Sequence, residues 1–333
     1  MERTGCPRIG FLGLGWIGLD RMNAMRAAGG IEVVGLSDTS DEMLARAAEL
    51  APKAQRVGSL DALLALKPDG VVIATPSALH ADQSIAALQS GASVFCQKPL
   101  GRTGAEVRAV LAAAKAADRL LAVDLSYRHT AGMLALREQV RAGLLGTVHA
   151  VDLTFHNAYG PDKPWFYDVA LSGGGCLMDL GIHLVDLALW VLDFPEVRRV
   201  HANLSAGGRP LPPGERRVED YAIATLELET GAVVRIACSW RLHAGQDAAI
   251  AAEFYGTEGG AAFRNVGGSF YDFTAHRFSG TASEELASPP DSWGGRAAVA
   301  WAERLARDPS YDPANTELAQ VAEVLDRLYG GGA

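Results

Sequence analysis

Cysteine is scarce in this chain of 333 residues: Cys6, Cys96, Cys176 and Cys238 are far apart and form no C-x-x-C pair. That pattern excludes a disulfide framework and argues against a structural zinc site. Three of the four sit inside apolar runs, where buried, reduced thiols are expected. Basic runs are also missing, and 39 acidic against 30 basic side chains leave a net charge of −9. This argues against nucleic acid as a partner, because neutralising phosphates requires clustered Lys and Arg, and weakens the case for an anionic membrane surface. Around Glu2, Arg3 and Arg8 there is no apolar run long enough for a signal peptide or a membrane helix, so a cytoplasmic protein is expected. Internal repeats and low-complexity tracts are lacking as well. The length is enough for a large core and favours two domains.

What the chain does have begins at Arg8. An apolar stretch to Leu12 reads as a buried parallel strand, and Gly13, Gly15 and Gly18 follow at G-x-G-x-x-G spacing around Trp16 and Ile17. The first glycine permits a tight turn, the second admits a pyrophosphate to the backbone, and the third lets the next helix pack on the sheet. A helical pattern follows at once, so free N–H groups and the positive end of a helix dipole would face the phosphates. A second strand, 31–37, ends in Asp38, twenty residues after Gly18, where a carboxylate would take the ribose hydroxyls of an adenosine. Strand, turn, helix, strand and acid together point to a dinucleotide site, with NAD favoured over NADP. Ser37 and Thr39 offer hydroxyls and no cation, although Arg21 or Arg46 could reach in from a neighbouring helix.

Short apolar runs continue to alternate with amphipathic patterns as far as Asp124. Strands are expected near 8–12, 32–37, 56–57, 70–74, 93–96 and 120–123, which makes a six-stranded, doubly wound parallel sheet over residues 1–124. After a helix ending near Gly143, residues 125–333 change character. Strand-like segments near 147–156, 197–205, 220–229, 232–241, 248–255, 260–265 and 269–274 are separated by turns such as Glu229-Thr230-Gly231. The expected second domain is therefore α+β on a mainly antiparallel, open-faced sheet. Apolar residues on both faces of some strands suggest that its outer face packs on a second copy or on a helical layer. Residues 279–293, polar and proline-containing, read as a loop before two final helices.

Several positions carry candidate chemistry. Thr75-Pro76 ends the fourth strand and His80 follows at a helix start, on the carboxyl edge where such sheets bind ligands. Spacing alone leaves His80 equally open to being a helix residue partly in solvent. Cys96-Gln97-Lys98-Pro99 ends the fifth strand at the same edge, where Lys98 is either held for function or a surface lysine, and position modestly favours the first. Farther on, Gly173-Gly174-Gly175 precedes a helix that is apolar nearly all round and carries Asp179 and His183 four residues apart. The pair is either a buried stabilising contact or a general base with its partner. Zinc finds no second histidine or cysteine at ligand spacing nearby. The stretch from His156 and Tyr159 to Trp165 and Phe166 offers aromatic faces and polar groups suited to a sugar ring, unless Trp165 and Phe166 only pack on the sheet.

Taken together, these motifs resemble the glucose-fructose oxidoreductase, inositol dehydrogenase and rhizopine-catabolism (Gfo/Idh/MocA) oxidoreductases. The resemblance runs through Gly13 to Gly18, Thr75 to His80, Cys96 to Pro99, Tyr127-Arg128, and Gly173 to Asp186. It implies that Lys98, Asp179 and His183 form the catalytic set. It also implies that Gly13, Gly15, Trp16, Ile17, Gly18, Asp38, Thr75, Pro76, His80, Gln97 and Lys98 line the cofactor, and that Arg128, His156, Tyr159, Trp165, Asp179 and His183 meet the substrate. The implied activity is NAD-dependent oxidation of a secondary alcohol of a sugar, cyclitol or related polyol, or reduction of the ketone, by a homodimer or homotetramer. Relatives that use NAD transiently to cleave glycosidic bonds or eliminate groups, and cofactor-binding regulators without catalysis, are the alternatives. One departure stands out: the glutamate usual before the lysine in that family is Gln97 here.

Overall fold

In a computed structural model that describes residues 6–330 apart from 213, 214 and 216, the chain forms two units. Glu2 and Arg3 lie outside the described residues. The first unit comprises residues up to Ser126 together with Gly294–Ala319, and the second Tyr127–Trp293 with the remainder from Gln320. The division thus differs from the contiguous one expected. Helix Arg296–Arg307 returns to the first unit, where Trp301 meets Phe95 at 5.8 Å between ring centroids. Gly70 accommodates that approach, because a Cβ there would press on the Trp301 ring at 2.6 Å.

The first unit holds the six-stranded sheet. Its strands are β1 (Arg8–Leu12), β2 (Glu32–Ser37), β3 (Gln55–Arg56), β4 (Gly70–Ile73), β5 (Ser93–Cys96) and β6 (Leu121–Val123), in the order β3-β2-β1-β4-β5-β6. The pairs are parallel throughout. Every residue of β4 and β5 is buried, as expected for strands covered on both faces. The order reverses at β1 and β4, so the crevice at their carboxyl ends is the topological switch point of the sheet.

The second unit is built on a nine-stranded sheet. It comprises β7 (Val148–Asn157), β8 (Val197–Ala206), β9 (Arg209–Pro210), β10 (Tyr221–Leu228), β11 (Val233–Ser239), β12 (Ala248–Gly256), β13 (Gly260–Asn265), β14 (Phe273–Ser279) and β15 (Ala282–Ala287). The order is β15-β14-β13-β12-β7-β11-β10-β8-β9. All pairs are antiparallel except β7 with β11. Residues 279–293 are not the uninterrupted loop expected. β15 forms there as an edge strand, where one neighbour suffices and no apolar face is demanded. One face of the sheet is buried beneath helix Ile182–Val191, all ten residues of which are buried. The other face leaves Ile223 at 44% and Val233 at 41% exposure. By length and apolarity the run Val169–Val191 could cross a membrane, yet it is almost wholly buried as the core helix of this unit. Cys96, Cys176 and Cys238 are buried free thiols and Cys6 is exposed.

Candidate active site

The turn between β1 and helix Trp16–Ala28 has the shape its glycines require. Gly13 sits at φ +84°, its N–H donating to the Ser37 carbonyl at 2.9 Å, and a Cβ there would strike the Ala74 carbonyl. A Cβ at Gly18 would overlap the Gly13 oxygen. At Gly15 a Cβ would meet nothing within 4 Å among the described residues, so open space lies before the helix N-terminus, which no described side chain caps. Gly15 and Trp16 are exposed there, Ile17 half-buried. Uncapped N–H groups facing a space kept clear of side chains suit a pyrophosphate.

Asp38, just after β2, faces the same turn. Its Oδ2 accepts the Leu14 N–H at 2.5 Å and its Oδ1 the Ser40 N–H at 2.8 Å. Two backbone donors fix the carboxylate, and each oxygen keeps a lone pair for a ribose hydroxyl. Arg21 does not reach this place. It is buried, with Nε 2.6 Å from Asp124 and Nη1 2.5 Å from Asp20.

At the ends of β4 and β5, His80, expected to line the cofactor, is held between two loops. The ring is 1% exposed, with Nδ1 2.7 Å from the Pro99 carbonyl and Nε2 2.6 Å from the Thr75 carbonyl. Both nitrogens are occupied, so His80 joins two loops and has none left for a ligand. Burial pushes its pKa down against the pull of the two carbonyls. Pro76 begins helix Ser77–Gln89, and Thr75 Oγ1 donates to Gln83 Oε1 at 2.6 Å. Gln97 and Lys98 are half-buried at the carboxyl end of β5, the Gln97 side chain donating to Asp124.

In the second unit the helix bearing Asp179 and His183 starts differently from expectation. Leu177–Gly181 is a π-helical turn, followed by α-helix Ile182–Val191. Such turns recur at functional sites because they re-aim side chains. Glu219, 2% exposed, holds the entry. Its carboxylate accepts N–H bonds from Gly175 (3.0 Å) and Leu177 (2.8 Å) and the Tyr329 hydroxyl (2.8 Å). Burial raises the Glu219 pKa while those donors oppose the rise. Asp179 Oδ2 accepts the indole N–H of Trp240 at 3.1 Å. His183, buried, meets Tyr127 edge-on at 5.0 Å and Phe155 at 6.4 Å. The Asp179 charge also raises the pKa of buried Tyr127, after the larger effect of desolvation. Tyr127, against whose ring His183 packs, therefore remains a neutral phenol.

Two residues expected to meet the substrate have partners within the protein. Arg128 pairs with the buried Asp186 through Nε (2.9 and 3.1 Å) and Nη2 (2.5 Å), over the rings of Trp190 and Phe194. A buried carboxylate in an apolar helix needs that countercharge, which Arg128 supplies. His156 lies beside Ser239 (Nδ1 to Oγ, 2.8 Å) and stacks on Tyr221. Its neighbour Phe155 faces His183, so strand alternation turns His156 to the opposite face of the sheet. Burial lowers its pKa. Tyr159 is exposed, near Phe270. Trp165 stacks on Phe166 at 3.8 Å, and Phe166 and Tyr167 meet Trp240 edge-on. The aromatic segment is thereby linked to Asp179 through Trp240. Neither Trp240 nor Glu219 was indicated by spacing, since they lie 61 and about 40 residues along the chain from the groups they hold.

A turn built for phosphates on a doubly wound sheet, together with a second unit whose open-faced sheet carries an Asp and a His on its core helix, defines a two-domain nucleotide-dependent oxidoreductase. Residues 7–125 match the family model described as oxidoreductase family, NAD-binding Rossmann fold, and residues 133–262 match the GFO/IDH/MocA C-terminal domain. D-glucoside 3-dehydrogenase of Escherichia coli (strain K12) is 30% identical over 275 residues, 78% of this chain and 77% of that protein. Inositol 2-dehydrogenase of Cereibacter sphaeroides (strain ATCC 17029 / ATH 2.4.9) is 29% identical over 328 residues, covering 88% and 90%. A levoglucosan dehydrogenase solved with NADH shares the fold, with a TM-score of 0.81 at 23% identity over 97% of this chain and 96% of that one. The chain belongs to the GFO/IDH/MocA oxidoreductase family, and its first unit is an NAD-binding Rossmann domain.

Proposed function

We propose that the protein transfers hydride between NAD and a secondary alcohol or ketone of a sugar, cyclitol or related polyol. The observation that carries this reading is the placement of Asp179 and His183 on consecutive turns of one buried segment, Asp179 held by Trp240 and His183 packed on Tyr127. Bound NAD supplies the hydride acceptor. The His183 imidazole of the second unit takes the hydroxyl proton, and the Lys98 ammonium of the first stabilises developing negative charge. Asp179 fixes a neighbouring hydroxyl and the histidine. The Trp165 and Phe166 rings pack against the apolar face of the sugar. Asp38 supports preference for NAD, because a 2′-phosphate would meet its charge while Arg21 is occupied elsewhere. The exposed apolar side chains Ile223 and Val233 on the outer sheet face support a homo-oligomer, and the buried free thiols accord with a cytoplasmic protein.

The test is a panel of sugars and cyclitols scored for NADH formation. Stoichiometric NADH is expected with at least one of them. Turnover of a substrate without net NADH contradicts the reading, and a 35.1 kDa particle by light scattering contradicts the oligomer.

A further inference from the structure

Lys98 sits between two buried polar clamps. On its C-terminal side the Pro99 carbonyl meets His80. On its N-terminal side Gln97 is fixed twice: its N–H donates to the Ile73 carbonyl at 2.8 Å, and its side-chain amide donates to Asp124 Oδ2. The same oxygen accepts Arg21 Nε at 2.6 Å. Asp124 is 1% exposed and Arg21 5%, so the charges are desolvated and each requires the other. Asp124 Oδ1 is buried with no hydrogen-bond partner among the described residues. Asp124 follows β6, Gln97 follows β5, and Arg21 lies on the helix that leaves the glycine turn. One buried carboxylate thus ties three segments of the first unit together. An amide at 97 suits this site because it can donate to Asp124, whereas an ionised acid would set two carboxylates in contact.

We infer that Asp124, neutralised by Arg21, is a positioning residue for Lys98: it orients the Gln97 side chain and locks the lysine-bearing segment to the helix that meets the cofactor phosphates. The inference rests on the role proposed above for Lys98. Its consequence is a reciprocal dependence between positions 97 and 124, which a residue acting only in general stability would not produce.

The experiment is a double-mutant cycle of Gln97→Glu, Asp124→Asn and the two combined, read on NADH affinity by fluorescence titration, on thermal midpoint and on turnover. Each single variant is expected to weaken NADH binding and turnover about tenfold, Gln97→Glu by charge repulsion and Asp124→Asn by removing the buried countercharge of Arg21, which then keeps only the half-exposed Asp20. The double variant, with donor and acceptor exchanged, is expected to recover to within about threefold of wild type. Additive losses, or a harmless Gln97→Glu, overturn the inference. If a single variant fails to fold, Gln97→Met removes the donor without adding charge. It is expected to keep the wild-type thermal midpoint and lose about tenfold in turnover and NADH affinity, and no loss in either contradicts the inference. Because NADH affinity is read without a sugar, failure of the proposed activity leaves this test decisive.

Discussion

Trp240 donates its indole N–H to Asp179 Oδ2 across 3.1 Å, from the end of a strand to a helix 61 residues earlier. The carboxylate is thereby aimed by the sheet as well as by its own helix. Trp240→Phe keeps most of the packing and removes the donor. The expected result is a stability loss of about 1 kcal/mol by urea unfolding and a fall in kcat of about tenfold with KM less affected. Unchanged kcat would show that the bond does not serve the site.

Glu219 draws together Gly175, Leu177 and Tyr329, all three as donors. Glu219→Gln gives the site an amide that must turn a donor toward one of them. A loss of about 1–3 kcal/mol in unfolding free energy is expected, with reduced turnover, because the turn it holds leads into Asp179. Chemical denaturation of both proteins measures it, and equal midpoints would contradict the role.

Asp38, fixed by Leu14 and Ser40, is expected to carry NAD selectivity. Asp38→Ala should weaken NAD binding at least about tenfold, the effect of losing charge-assisted hydrogen bonds, and should narrow the gap to NADP. Titration calorimetry with both nucleotides tests this, and an unchanged ratio would contradict it.

His80 gives a pH dependence of definite sign. Its pKa is depressed, chiefly by burial, so the unfolded chain takes up the proton first. The stability tied to it is whole above the ordinary histidine value of about 6.5 and is lost as pH falls through the lower folded value. His80→Gln removes that titration. Urea unfolding from neutral pH downward should therefore give a shallower acid-side decline for the variant than for wild type, and equal slopes would contradict the assignment.

Much of the fold was legible because burial on both faces writes apolar runs such as Gly70–Ile73 and Ser93–Cys96 directly into the sequence. β15 was not, since its first four residues, Ala-Ser-Glu-Glu, are exposed and only Leu286 and Ala287 at its end pack on the core. The return of Trp301 to the first sheet was hidden too: amphipathic helix Arg296–Arg307 declares a buried face but not what it will be buried against. In the site, the glycine turn and Asp38 follow local backbone rules and could be read. His156, His80 and Arg128 could not be resolved the same way. Their roles depend on strand alternation, on two carbonyls and on a buried Asp186, each supplied by the tertiary fold.

The most direct test of the central claim is NADH formation by wild type, Lys98→Ala and His183→Ala with whichever sugar or cyclitol the wild type oxidises. The account predicts stoichiometric NADH from wild type, with both variants still binding NADH but turning over at least about a hundredfold more slowly. Undiminished turnover in either variant would contradict it.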